Sequence, residues 1–211
     1  MNKREYAKKI DSLNEEPFLK YGKEGNYTEE EHDRMVTVVT TGLQRFPEKI
    51  RETLREYELV TGSNVNACDV IHKKLYIGQD VDQYILDHEM GHLVEALFID
   101  KDILRALKVD ILKDVNDNDI ITEIRHDSEG NIVPIIYVDV DDFYSSYQGR
   151  IYVGVEGLDG IFDDNRNIKV DNLWEIISET MPHYMDGEEP LNDTIAKIYE
   201  LIDEVFNEKQ G

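Results

Sequence analysis

Residues 84–97 read YILDHEMGHLVEAL. Leu86, Met90, Leu93, Val94 and Leu97 recur at spacings of three and four, the period of one helix face, so the stretch predicts an amphipathic α-helix of about four turns. Asp80 and Asp82 precede it as candidate caps. On such a helix His88 and His92 lie on the same face one turn apart, and their imidazoles can converge on one metal ion. Glu89 sits about 100° round the axis, too far to be a third ligand but within reach of a water on that ion. An ion held there lowers the pKa of its water towards about 7, and Glu89 takes the proton as general base while the ion polarises a carbonyl for attack. The pattern H-E-x-x-H fixes three residues in five positions and arises by chance in a chain this size with a probability on the order of one per cent. The bland alternative, two surface histidines on a solvated face, is disfavoured because polar residues on so apolar a helix need partners. Gly91 in the helix interior costs about 1 kcal/mol relative to Ala, which predicts close approach of another element behind the site.

Composition narrows the setting. With 211 residues and 40% apolar content the chain can bury a real core, and we expect a polar leader over 1–28 followed by one domain over 29–211. No apolar run approaches the roughly 18 residues of a membrane span, and the start MNKREYAKKIDSLNEE lacks the apolar stretch of a signal peptide. Cys68 is the only cysteine, which rules out an internal disulfide and a cysteine-rich metal site. These features predict a cytoplasmic protein, in an ordinary or a virus-infected cell, with no membrane partner. Forty-six acids against 23 Lys and Arg give a net charge of −23. Such a surface repels nucleic acid phosphates and favours a cationic protein or peptide, although acids spread along a chain also serve simply to keep it solvated.

Outward from the histidines, Thr28 ahead of three glutamates predicts a helix running to about Thr41. FPEKIRETLREYELV places Pro47 at the start of a second helix, with Ile50, Leu54 and Tyr57 on one face. After a turn at Gly62, NVNACDVI and KKLYIG (73–78) read as short strands, the second positioned like an edge strand that a substrate could join. DIITEIRHDSEGNIVPIIYVDV (119–140) predicts a hairpin with its turn near Gly130 and Asn131. A Gly- and Tyr-rich stretch follows, and NLWEIISETMPHYM and NDTIAKIYELIDEVF predict two closing helices.

A catalytic zinc takes three protein ligands plus water, so two histidines leave one ligand to find. Glu95 lies a turn beyond His92 and about 60° from its direction, which suits a supporting or surface role. Glu95 and Phe98 occupy the Gly and third-His positions of the metzincin pattern, so that pattern is absent. Glu175 and Glu179 are four apart on a helix made partly apolar by Trp174, Ile177 and Met181; one can bind the metal while the other orients a ligand from behind.

Together these residues resemble the gluzincin type of metallopeptidase, in which a helix bearing H-E-x-x-H is followed by a helix supplying a glutamate. EIISE (175–179) is similar to the E-x-x-x-E element of the anthrax lethal factor catalytic domain and of small proline-specific secreted endopeptidases. That resemblance implies His88, His92 and Glu175 as zinc ligands, Glu89 as base and Glu179 behind the ligand. Those families carry an oxyanion-stabilising tyrosine seven residues before the glutamate, where this chain has Ile168. SSYQGRIY (145–152) followed by EIISE is similar to zincin-like regions attached to minor head proteins of tailed phages, which implies Tyr147 as that tyrosine, Arg150 and Tyr152 nearby, and 153–172 as an insertion.

The expectation is an α+β, zincin-like domain with a small mixed sheet, an active-site helix and a helical C-terminal half. Its expected activity is Zn²⁺-dependent hydrolysis of a peptide paired beside Lys74–Gly78. Two other classes stand beside it: a metallopeptidase-like module that assembles with phage head components, and an acidic nucleic-acid mimic.

Overall fold

The structure is a computed structural model, and it describes residues 20–115, 117–126, 132–138, 140–152, 162 and 168–207. The fold is α+β. Its described residues fall into two compact units, one formed by those up to Leu93 with Phe206 and Asn207, the other by Val94–Val205.

The first unit is built on a four-stranded sheet of β1 (Lys20–Lys23), β2 (Glu58–Ser63), β3 (Ala67–Asp69) and β4 (Lys74–Gly78), in the order β1-β2-β4-β3. β1, β2 and β4 run parallel, and β3 is antiparallel to β4. Helices α1 (Glu29–Gly42) and α2 (Glu48–Thr53) lie between β1 and β2 in the chain, and α3 (Gln83–Leu97) follows β4. α1 starts where expected: the Thr28 hydroxyl accepts from the Glu31 N–H at 3.2 Å, and the Glu31 carboxylate accepts from the Thr28 N–H at 2.6 Å. This reciprocal capping satisfies two of the N–H groups that a helix start leaves unpaired. Met35, Val36, Val39, Ile50, Leu54, Leu59, Leu75, Ile77, Leu86, Met90 and Leu93 form the core.

Three expectations change here. β1 is a strand inside the stretch read as a polar leader, of which residues 1–19 lie outside the described part. The second helix ends at Thr53 and is followed by a 3-10 turn, and the YELVTGS residues that looked like its tail and a turn supply β2, with five of its six residues buried. A strand flanked by two parallel neighbours is covered on both faces and loses the alternating pattern that announces a strand. Gly62, with φ at 76°, makes a bulge rather than a turn: the register shifts between Thr61 and Ser63. A Cβ at Gly62 would lie 2.1 Å from the Tyr27 ring, so only glycine fits under that tyrosine. Finally, β4 lies between β2 and β3 and is not an edge, so a peptide cannot add beside Lys74–Gly78; β3 ends the sheet.

The second unit holds an antiparallel sheet of β5 (Ile120–His126), β6 (Ile132–Val138) and β7 (Arg150–Ile151), ordered β5-β6-β7, with α4 (Lys101–Leu112), α5 (Glu175–Met185) and α6 (Asp193–Asn207). The β5–β6 pairing matches the expected hairpin, whose turn at 127–131 lies outside the described residues. Most of the expected insertion, 153–161 and 163–167, lies outside them too. α4 was not foreseen; Asp100 caps it by accepting from the N–H groups of Asp102 and Ile103. Ile136, Val138, Ile151, Leu173, Ile176, Ile177, Met181, Ile195, Ile198 and Ile202 are the buried heart of this unit.

Candidate metal centre

α3 is fixed before its histidines are reached. The Ile85 N–H donates to Asp82 Oδ1 at 2.9 Å, so Asp82 is the cap, while Asp80 accepts instead from Asn66 at 3.0 Å. One residue before His88, the fully buried Asp87 accepts from Arg45 at 2.8 Å and from Gln83 at 2.7 Å. A Cβ at Gly42 of α1 would lie 2.5 Å from Leu86 Cδ2, so backbone and helix meet in close contact at that glycine. Gly91 itself is buried.

These anchors leave His88 and His92 half-buried with their rings edge to face, centroids 5.1 Å apart at 86°. Glu89 points elsewhere, as the helix geometry requires. Its carboxylate is buried, and Oε2 accepts from the Cys68 backbone N–H of β3 at 2.9 Å. That bond orients the side chain from outside its own helix. The neighbouring Cys68 thiol is pushed up to about 12, first by burial and then by the negative charges of Glu89 and Asp69. It stays protonated at neutral pH and is no nucleophile.

α5 presents polar side chains inward. Glu175, Ser178, Glu179 and Thr180 are all buried beside Ile176, Ile177 and Met181. Each has a partner. The Tyr152 hydroxyl donates to Glu175 Oε1, and Ser178 donates to Oε2 at 2.8 Å. Ser145 donates to Glu179 at 2.7 Å. Buried Gln148 donates to the Ile176 carbonyl at 3.1 Å and to Thr180 Oγ1 at 2.8 Å, and accepts from the Tyr144 N–H at 2.9 Å. Trp174, half exposed at the start of α5, stacks on the Tyr152 ring with centroids 4.8 Å apart.

One ligand atom from each of His88, His92 and Glu175 lies within 4.8 Å of the others, so these three residues form a group that could hold a metal ion. Glu179 is outside that group, one turn further along α5. Tyr152 bonds Glu175 directly. Arg150 donates to the Tyr147 oxygen at 2.9 Å, and the Tyr147 and Tyr152 hydroxyls are 3.3 Å apart. Because the single Tyr152 hydroxyl proton goes to Glu175, Tyr147 is the donor in that contact, which orders a chain from Arg150 through Tyr147 and Tyr152 to Glu175. Both phenols are held above their usual range, Tyr147 by burial and Tyr152 by burial followed by its bond to Glu175. Arg150 also lies over both rings, 5.2 Å from the centroid of Tyr147 and 4.5 Å from that of Tyr152.

The contacts of Ser178, Ser145 and Gln148 were not foreseen. Ser178 lies three residues from Glu175 on one helix face, a spacing that could have flagged it. The other two come from a distant loop and carry no local signal. No described helix is long and apolar enough to cross a membrane. No protein-family model, curated protein or solved structure matches this chain.

Proposed function

We propose that this protein is a zinc-dependent endopeptidase. The observation that carries the reading is the convergence of His88, His92 and Glu175, with Glu89 next to the first histidine on the same helix. Two imidazoles and one carboxylate suit a borderline divalent ion, and the set matches catalytic zinc sites with one open position. A zinc ion bound there supplies Lewis acidity towards a peptide carbonyl and acidifies a water. Glu89, steadied by the Cys68 N–H, accepts the water proton and passes it to the leaving amine. Tyr152 and Ser178 hold the Glu175 carboxylate in place. Tyr147 is the proposed donor to the oxyanion, its hydroxyl proton turning from Tyr152 to the substrate when one binds, with Arg150 fixing its ring and oxygen. The net charge of −23 supports a cationic peptide segment as substrate and argues against nucleic acid.

The expected result is about one zinc per chain, with Glu89→Gln abolishing peptide hydrolysis while keeping the metal, because the base is not a ligand. Loss of zinc in that variant overturns the assignment of roles. A second reading, an acidic mimic of nucleic acid, takes support from the charge alone; metal analysis of the wild type that finds no zinc would favour it.

A further inference from the structure

We propose that Lys108 is a positioning residue for the candidate metal group, its ammonium clamping the helix turn beyond His92 to the segment that leads into Glu175. The proposal rests on the metal reading above. Lys108 stands on the buried face of α4 with Leu104, Leu107 and Leu112 and is only 5% exposed, an unusual place for a lysine. Its Nζ donates to Glu95 Oε1 at 2.6 Å and to the Leu173 carbonyl. Glu95 is three residues beyond His92 on α3, and Leu173 is two residues before Glu175. Leu173 is itself fully buried and bridges to Ile151 of β7, so it passes the constraint into the sheet. An ammonium desolvated to this degree cannot leave its partners cheaply, which makes the link stiff. A compact ammonium meets a carboxylate and a carbonyl in different directions more readily than a planar guanidinium does.

The test uses the full chain with Lys108→Met, Lys108→Arg and the double variant Lys108→Met/Glu95→Leu. Zinc affinity is measured by chelator competition, metal geometry by the visible absorption of the cobalt(II) form, and fold stability by melting of the metal-free protein. Lys108→Met strands the Glu95 charge and lowers the melting temperature, whereas the double variant removes both charges and recovers it. The clamp predicts that the double variant still binds zinc about 10- to 100-fold more weakly, with an altered cobalt spectrum, and that Lys108→Arg restores affinity only in part. A double variant that melts like the wild type and binds zinc like the wild type overturns the clamp and leaves the metal reading intact. A wild type that binds no zinc overturns both.

Discussion

The two helices that supply the candidate ligands are secured by different means. α3 is fixed by charge and contact: Asp82 caps its start, Asp87 is gripped by Arg45 and Gln83, and Leu86 lies hard against Gly42. α5 has no side-chain cap at Trp174 and carries Pro182, which cannot donate to the Ser178 carbonyl. It is held instead by hydroxyls and an amide reaching in from 145–152 to Glu175, Glu179, Thr180 and the Ile176 carbonyl. The histidines therefore inherit their geometry from a rigid helix, whereas Glu175 inherits its geometry from a network in which each member depends on its neighbours.

The largest expected effect separates the two carboxylates of α5. Glu179→Ala should weaken zinc binding by about 10- to 100-fold, as loss of a supporting group does, and Glu175→Ala should weaken it further. Chelator competition on both variants decides the matter, and the reverse order exchanges their roles. On α3, Asp87→Ala should cost about 3 kcal/mol in urea unfolding, since it removes the buried carboxylate that accepts from half-buried Arg45 and from Gln83. A loss under about 1 kcal/mol would mean that packing at Gly42 alone secures this helix. On the α5 side, Gln148→Leu should cost about 2 kcal/mol, because it takes the acceptor from the Tyr144 N–H and a donor from both the Ile176 carbonyl and Thr180 Oγ1.

The smallest effect comes from Tyr57, whose hydroxyl is buried without a hydrogen-bond partner among the described residues, in contrast to the partnered hydroxyls of α5. Tyr57→Phe should gain about 1 kcal/mol at neutral pH. Burial, followed by the charges of Cys68, Asp69 and Glu56, pushes this phenol from 10.0 to about 12. A raised folded pKa means that its contribution is whole below pH 10 and is lost as pH rises towards 12, because the unfolded chain ionises first. Unfolding measured across that window should fall less steeply in Tyr57→Phe than in the wild type; equal slopes would place the alkaline loss elsewhere.

What could be read in advance was local. The His88, Glu89 and His92 face, the Thr28 cap and the 120–138 hairpin each declare themselves within one or two turns of chain. β2 did not, because a strand covered on both faces reads as an apolar run that continues the preceding helix. α4 did not, because Lys108 interrupts the stripe of Leu104, Leu107 and Leu112 that would mark its buried face. For the centre, Glu175 was reached through resemblance, and the structure sets it near both histidines. The contact of Tyr152 with Glu175 turns on a 23-residue separation that no periodicity encodes.

The bond from the Cys68 N–H to Glu89 also bears on self-association. β3 ends its sheet, and the outer amides of such a strand are a template on which a second chain can crystallise as a further strand. Here that strand is three residues long and one of its N–H groups is already given to a carboxylate. The contact that steadies Glu89 thus also removes a donor from the outer side of β3, the side along which a further strand would pair.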